Sequence, residues 1–176
     1  MKKLIIVTHP NLKNAVINKQ WINELEKHKD TFHIHALYTV YPDLNFDIEA
    51  EQEILAKHDE IIFQFPLHWF NVPFALKKYL DNILSFGWAF GPGGDKLNGK
   101  KIGFAVSSGG DKASYERHIT LEQLLLPMYT SFQFCGCKLL PTHKFYGANH
   151  QPKTEDILKN AKEYIALFAE EHKGID

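Results

Sequence analysis

The sequence predicts an α/β domain in which helices cover both faces of a parallel sheet. Strand-like apolar runs alternate with helix-like segments along nearly the whole chain, and three of the runs, LIIV, EIIFQF and KIGFAVSS, are largely apolar. Strands that are buried on both faces have this composition, because helices exclude water from each side of a parallel sheet. The 176 residues, 44% of them hydrophobic, suit one domain over residues 1–176 with a sizeable core.

The first half of the chain supplies three predicted strands. LIIVTHP is the first and ends near Thr8, after which the apolar positions from Ala15 to His28 recur at helical spacing. FHIHALY alternates apolar residues with histidine, which predicts the second strand. Asp47 is placed to cap a helix that runs through Leu55, and EIIFQF follows as the third strand.

The second half begins with a helix whose first position suits Pro73 and which runs through Leu84. KIGFAVSS is the fourth strand. Thr120 and Gln123 have the spacing of a capping box, and we expect the helix that they open to end at Gly136.

KLLPTHKFYG is the fifth strand, weakened at Pro141, and Thr154 is the expected cap of a last amphipathic helix. Right-handed crossovers between five parallel strands leave few topologies. The common one is the flavodoxin-like three-layer sandwich of strand order 2-1-3-4-5, whose switch point lies between strands 1 and 3. Ligands bind beyond the carboxyl ends there, so the loops after strands 1, 3 and 4 are expected to border one crevice.

Composition and motifs exclude several function classes. The formal charge of −1 lacks the basic surplus of a nucleic-acid binder, and no apolar run has the length of a membrane span. MKKLIIVTHP is too short for a signal peptide, and two cysteines, Cys135 and Cys137, suit buried thiols of a cytoplasmic protein. His33 and His35 share a strand face without a visible third ligand, so no metal is expected. No nucleophile elbow marks a hydrolase.

The loop after the first strand places His9, Asn11 and Asn18 around a helix start. Helix N-termini attract phosphate through unpaired N–H groups, although ordinary capping explains this loop better when it is taken alone. The loop after the third strand, FPLHWFNVP, carries Trp69 and Phe70 where polar residues are usual. The SSGG turn after the fourth strand permits close approach of backbone donors. Together the three loops suit a flat, anionic, partly aromatic ligand, and flavin mononucleotide (FMN) meets that description.

DEIIFQFPLHWFNVPFALKKYLDNIL resembles the strand–loop–helix signature of NAD(P)H:quinone oxidoreductases of the DT-diaphorase type. THPNL, GWAFGPGG, LNGKK, SSGG…Y and FCG follow in that family's order, so the resemblance covers nearly the whole chain. It implies a homodimer that binds FMN, or FAD as the alternative, and that transfers hydride from NAD(P)H to a quinone by a ping-pong mechanism. The short bacterial branch includes ancillary proteins of glutathione-gated potassium efflux systems.

The resemblance also implies residue roles. Cofactor-binding positions of the family match His9, Asn11, Asn18, Pro66, Leu67, His68, Trp69, Phe70, Ser107, Ser108, Gly109, Gly110 and Tyr115. Gly109, Gly110 and Tyr115 are also the candidates to stabilise negative charge on the reduced flavin. His118 is the candidate for the family's catalytic histidine, although it follows Tyr115 by fewer residues than in the family. Phe90, with Trp69, matches the substrate-binding aromatic positions, and Phe90 is expected to act on the neighbouring subunit.

Two alternatives to a free-standing enzyme remain open. A flavodoxin-type electron carrier usually has a Ser/Thr-rich phosphate loop and an acidic surplus, and this sequence has neither. The sequence also departs from the quinone oxidoreductase family at Ala15, where its members usually have a Ser or Thr that bonds phosphate. A regulatory subunit that docks on a potassium-efflux partner in the membrane is compatible with the sequence.

Overall fold

The computed structural model describes residues 2–170, which form a parallel five-stranded sheet of order β2-β1-β3-β4-β5 with helices on both faces. The strands are β1 (Lys3–Val7), β2 (Phe32–Ala36), β3 (Glu60–Pro66), β4 (Lys101–Ser107) and β5 (Lys138–Phe145). The helices are α1 (Ile17–Leu25), α2 (Leu37–Val40), α3 (Ile48–Ala56), α4 (Phe74–Ile83), α5 (Lys112–Glu116), α6 (Leu121–Phe134) and α7 (Thr154–Ala169). The predicted strand order is confirmed.

The central strands separate two apolar layers. Every residue of β1 is buried, and successive side chains point to opposite faces. Leu4 and Ile6 join a layer that includes residues of α3, α4 and α6, whereas Ile5 and Val7 join the layer of α1 and α7. Burial on both faces explains why these strands read as continuous apolar runs. None of the described helices is long and apolar enough to cross a membrane.

Several predicted helix ends are confirmed. Asp47 accepts a hydrogen bond from the Ala50 N–H at 3.1 Å and caps α3. Thr120 and Gln123 form the reciprocal capping box at α6. Gly136 follows that helix with a φ of 79°, a left-handed conformation that glycine adopts without a steric cost.

Other boundaries were predicted wrongly. Pro73 is the N-cap of α4 and not its first residue, because its ψ of 147° is extended. Likewise, Thr154 is the first residue of α7, and Lys153 occupies the N-cap with no side-chain cap. The helical spacing of apolar residues identified both helices, but it did not show which residue is the first to adopt the helical backbone conformation.

Two segments that were each predicted as one element contain more than one element in the structure. The predicted helix from Ala15 to His28 is shorter, with α1 between 3₁₀ turns at Leu12–Asn14 and Glu26–His28. The run FHIHALY leaves the sheet at Ala36, and its last residues enter α2. The short helix α5 was not predicted. Short helices carry little periodic signal, so tertiary contacts decide them.

Pro141 coincides with an irregularity in β5, as predicted. Ile102 pairs with Leu139 whereas Phe104 pairs with Thr142, so β5 contains one residue more than β4 at this point. Proline lacks the N–H that a regular ladder requires, and β5 is an edge strand where such a bulge is tolerated.

The buried carboxylate of Glu51 joins three elements. His35 Nε2 of β2 lies 2.8 Å from Glu51 Oε1, and the Tyr79 hydroxyl of α4 donates to Glu51 Oε2 at 2.9 Å. Burial opposes ionisation of Glu51, but the hydrogen bonds from its partners hold its pKa below the ordinary value. His35 therefore has a structural partner that the sequence pattern did not indicate.

The two cysteines are unpaired and buried, as expected of structural thiols. Burial raises the pKa of Cys137 to about 12, with a further contribution from Cys135. A thiol with so high a pKa is protonated at neutral pH and is a poor nucleophile.

Candidate functional site at the switch point

The loops at the carboxyl end of the sheet enclose a cavity of about 430 Å³. The size is within the ordinary range of small-molecule sites. It is bordered by the loops after β1, β3, β4 and β5 and by the start of α1. The predicted cofactor-binding residues that line it are His9, Asn11, Asn18, Pro66, Leu67, His68, Ser107, Ser108 and Gly109.

The first turn of α1 forms one end of the cavity. Val16 is the N-cap, and its side chain has no oxygen with which to accept hydrogen bonds from the first helical N–H groups. Ala15, Val16 and Ile17 all line the cavity. A helix start without a side-chain cap is suited to an anion, because its N–H groups and its dipole both favour negative charge.

His9 adds a neutral donor at this end. Its Nδ1 accepts from the Asn11 N–H at 3.1 Å, so the proton of the neutral ring is on Nε2. Burial, with repulsion from His68, lowers the pKa of His9 below its ordinary value. The ring is therefore neutral at pH 7 and can donate a hydrogen bond to an anion.

Asn18 has a role that its place in the sequence did not indicate. Its side chain is buried, and Nδ2 donates to Ser107 Oγ at 2.8 Å. Gln64 Nε2 donates to the Asn18 carbonyl at 3.1 Å. Asn18 thus ties the first turn of α1 to the ends of β3 and β4, and direct contact between its side chain and a ligand stays a prediction.

The loop after β3 is a two-residue hairpin with aromatic residues at its tip. His68 and Asn71 exchange backbone hydrogen bonds of 2.9 and 3.0 Å, and Trp69 and Phe70 lie between them with φ values of 49° and 61°. Positive φ at both central residues is typical of a type I′ turn, where Asn-Gly is the usual pair. Bulky residues in this conformation carry backbone strain, and such strain persists mainly at functional sites.

The same hairpin limits which backbone groups can meet a ligand. The Leu67 N–H donates to Ser107 O at 2.8 Å, and the His68 N–H is bonded across the hairpin. The N–H groups of Trp69 and Phe70 enter neither bond. Of the loop positions predicted to donate to a flavin edge, these two are therefore the ones that the geometry leaves available.

The fourth wall of the cavity comes from the loop after β5. Ala148 and Asn149 line the cavity, and their N–H groups donate to Ser108 O and Gly109 O at 2.9 and 3.2 Å. A Cβ at Gly109 would lie 2.5 Å from Asn149 Nδ2, so a larger residue at this position would displace the Asn149 side chain. The sequence patterns did not indicate this wall, although Tyr146 and then GANH follow the fifth strand. The available signal was that β5 ends at the same edge of the sheet as β1, β3 and β4.

Four predicted site residues lie near the rim of the cavity without lining it. Phe70 contacts the Tyr115 ring edge-on at 6.0 Å, and Trp69 is 94% exposed. A Cβ at Gly110 would lie 3.2 Å from the Tyr115 ring. Trp69, Phe70, Gly110 and Tyr115 therefore lie together at the rim, and their contact with a ligand stays a prediction.

Two other predicted residues are not brought to this cavity. His118 follows α5, and its N–H donates to Tyr115 O at 3.1 Å, but its side chain is exposed. Phe90 packs between Phe86 and Phe134, at ring distances of 5.8 and 5.7 Å, and lines a separate cavity beside α6. The catalytic role of His118 and the substrate role of Phe90 stay predictions.

A 2-1-3-4-5 parallel sheet with a donor-lined crevice at its switch point defines the flavodoxin-like class of α/β proteins. Residues 1–168 match the Flavodoxin_2 family, described as having a flavodoxin-like fold, and the chain belongs to this family. The predicted fold class is thereby confirmed.

Individual relatives extend this similarity over nearly the whole chain. A Bacillus subtilis protein named Uncharacterized NAD(P)H oxidoreductase YrkL is 40% identical over 176 residues, which are 98% of this chain and 100% of the relative. General stress protein 14 of Treponema denticola, solved in complex with FMN, superposes with a TM-score of 0.90 at 34% identity and covers 96% of this chain and 98% of that chain. The glutathione-regulated potassium-efflux system ancillary protein KefF of an Enterobacter species is 38% identical over 140 residues, 78% of this chain and 79% of the relative. The resemblance seen in the sequence is confirmed.

The strain at the hairpin tip predicts an order of stability. Phe70→Gly and Phe70→Ala remove the same ring but differ in the Cβ that is strained at positive φ. We expect Phe70→Gly to have the higher free energy of unfolding, by about 1 kcal/mol, in urea denaturation. The same two substitutions at Phe74, which is exposed on α4, are the control, because there alanine is expected to be at least as stable as glycine. Equal stability of the two Phe70 variants would contradict the strained turn.

Proposed function

We propose that the protein is a cytoplasmic NAD(P)H:quinone oxidoreductase that binds FMN in the switch-point crevice. The main support for this proposal is that the crevice has an uncapped helix start at one end and an aromatic hairpin at the other. The names of YrkL and of the FMN complex from Treponema denticola agree with this function. The acceptor is a quinone or a similar small molecule that accepts two electrons.

The residues present fit FMN. Its phosphate requires donors, which the first turn of α1 and the neutral ring of His9 supply. Its flat ring system requires an apolar surface and edge donors, which the hairpin supplies through Trp69 and Phe70. FAD, the alternative cofactor, would share these contacts but would need space for a further nucleotide beyond the phosphate.

The chain provides orientation and electrostatics, whereas the flavin, when bound, supplies the hydride chemistry between NAD(P)H and the acceptor. Backbone donors near the end of β4 are suited to stabilising negative charge on the reduced flavin. The glycines at 109 and 110 allow those N–H groups to approach a ligand closely. The Tyr115 ring packs beside Gly110 and places a further hydroxyl-bearing side chain at this rim.

A homodimer is the proposed working unit. Large apolar side chains are exposed around α4 and α6. Among them, Phe74, Phe86 and Phe134 each have an exposed fraction of 70–72%. Exposed apolar surface of this kind usually marks a contact between proteins. A twofold pairing would bring Phe90 of one subunit over the crevice of the other, which accounts for its distance from the crevice of its own chain.

A second candidate function follows from the similarity to KefF. In that case the protein would regulate a potassium-efflux partner in the membrane and would retain some oxidoreductase activity. Copurification with a potassium transporter would favour this role. Full quinone turnover by the isolated protein would show that catalysis needs no such partner.

The first prediction from this function is that the purified protein carries a non-covalent flavin or takes up FMN readily. We expect visible flavin absorbance, the mass of FMN in the released cofactor, and oxidation of NADH or NADPH when a quinone is added. A colourless protein that shows no flavin binding in a fluorescence titration would refute the function. Flavin binding without NAD(P)H turnover would instead favour an electron carrier.

The second prediction concerns Ala15, which lines the crevice beside the uncapped start of α1. Ala15→Ser adds one donor for the phosphate, and a hydrogen bond to a charged group is worth roughly 1.5–3 kcal/mol at best. We expect a lower Kd for FMN in a fluorescence titration. Ala15→Cys is the matched control, since a thiol of similar size is only a weak donor. Unchanged or weaker binding by Ala15→Ser would indicate that the phosphate lies elsewhere.

The third prediction concerns Phe90. Loss of an aromatic contact costs roughly 0.5–1.5 kcal/mol beyond the buried area, so Phe90→Ala is expected to reduce kcat/KM for quinone by roughly two- to tenfold while flavin content stays the same. Val40→Ala removes an exposed apolar side chain from α2 and serves as the control. A protein that is monomeric by light scattering and fully active would contradict the dimer.

A further inference from the structure

Two histidines meet at the amino-terminal end of the sheet, opposite the crevice. His33 is the second residue of β2, and His58 lies in the connection between α3 and β3. His33 Nδ1 and His58 Nε2 are 3.3 Å apart, and the ring centroids are separated by 5.2 Å. The two residues are 25 positions apart in the sequence, so only the fold brings them together.

The His58 ring is oriented by the backbone. Its Nδ1 lies 2.7 Å from the Ile54 carbonyl oxygen, which can only accept a hydrogen bond. The proton of the neutral ring is therefore on Nδ1, and the lone pair of Nε2 faces His33. Histidines that bind metal usually donate their other N–H to a carboxylate or a backbone carbonyl in this way, because that bond fixes both tautomer and orientation.

The separation of the two ring nitrogens also suits a common metal ion. Zn²⁺ binds histidine nitrogen at 2.0–2.1 Å in tetrahedral geometry, which places two such ligands about 3.3 Å apart. We propose that His33 and His58 form a binding site for a divalent transition-metal ion such as Zn²⁺, with water completing the coordination. On binding, the His33 proton moves from Nδ1 to Nε2 through solvent, so both rings bind as neutral imidazoles.

The surroundings define what kind of site this is. No group of three or more His, Cys, Asp or Glu side chains that could hold a metal occurs within residues 2–170. His35, the other histidine of β2, is engaged by Glu51. Burial, with the nearby charges of His58, His35 and Lys2, lowers the pKa of His33, so its ring is neutral at pH 7. The site is thus an open two-histidine site, and the positive charge of Lys2 weakens it.

A metal ion at this position would affect the stability of the fold. β2 is the edge strand of the sheet, and the ion would link it to the connection that leads into β3. An ion that binds the folded but not the unfolded chain stabilises the fold by RT ln(1 + c/Kd), where c is the concentration of free ion, so the unfolding temperature rises with c. Hard cations such as Mg²⁺ are not expected to have this effect, because they prefer oxygen ligands.

The test is calorimetric titration of the purified protein with ZnCl₂, together with imidazole nitrogen NMR spectra and thermal unfolding with and without the metal. His33→Ala and His58→Ala are each expected to weaken binding at this site by at least about tenfold, since loss of an outer partner alone already costs 10–100-fold. Circular dichroism checks that each variant is folded. His28→Ala, which removes an exposed histidine, is the matched control and is expected to bind zinc like the parent.

The NMR spectra separate this site from zinc bound elsewhere, for example by His9 and His68 in the crevice. Shifts of the His33 Nδ1 and His58 Nε2 signals on addition of zinc, lost in either alanine variant, would support the proposal. Unchanged signals from these two rings, or undiminished zinc binding by the double variant, would overturn it and leave an ordinary hydrogen bond between two histidines.

Discussion

The buried amide of Asn18 is the interaction on which the crevice depends. The start of α1 has an uncapped first turn that must be held beside the ends of two strands, and no apolar contact can fix its position so precisely. Its side-chain Nδ2 donates to Ser107 Oγ, and its backbone carbonyl accepts from Gln64 Nε2. A buried polar group that is satisfied in this way specifies one arrangement, because any shift would leave amide groups unpaired in the core.

That arrangement decides which groups remain for a ligand. The Ser108 hydroxyl donates to Gly110 O at 3.1 Å and is engaged within the protein, whereas the Ser107 hydroxyl accepts from Asn18 and keeps its O–H for another partner. Besides the Ser107 hydroxyl and the His9 ring, the remaining donors include backbone N–H groups: those of the first turn of α1, of the hairpin tip, and of Gly109 and Gly110. Recognition through backbone groups suits a cofactor that carries the chemistry itself, and it agrees with the absence of a nucleophile elbow in the sequence.

The fold could be predicted from the sequence because the strands that are buried on both faces read as continuous apolar runs. β1 and β4 are covered on both faces, and their apolar runs allowed one interpretation. The site was only partly predictable. His9 follows β1 and Pro66 ends β3, and both line the crevice at the switch point, whereas Asn149 follows an edge strand and was missed. Ligand binding by His9 and Pro66 stays a prediction. The roles of Asn18 and His58 depend on partners that are 89 and 25 residues away, and no local pattern encodes such contacts.

The two ends of the sheet are stabilised by different kinds of interaction. At the amino-terminal end, the Glu60 carboxylate forms ion pairs with Lys3 Nζ at 2.7 Å and with Lys101 Nζ at 2.9 Å. Lys100 Nζ donates to the His58 backbone carbonyl at 2.9 Å. These bonds fix the strand starts, so the strained hairpin and the uncapped helix at the other end can be tolerated. A metal ion on His33 and His58 would add to the stable end and would leave the crevice geometry unchanged. Stability and ligand recognition are thus assigned to opposite ends of the same strands.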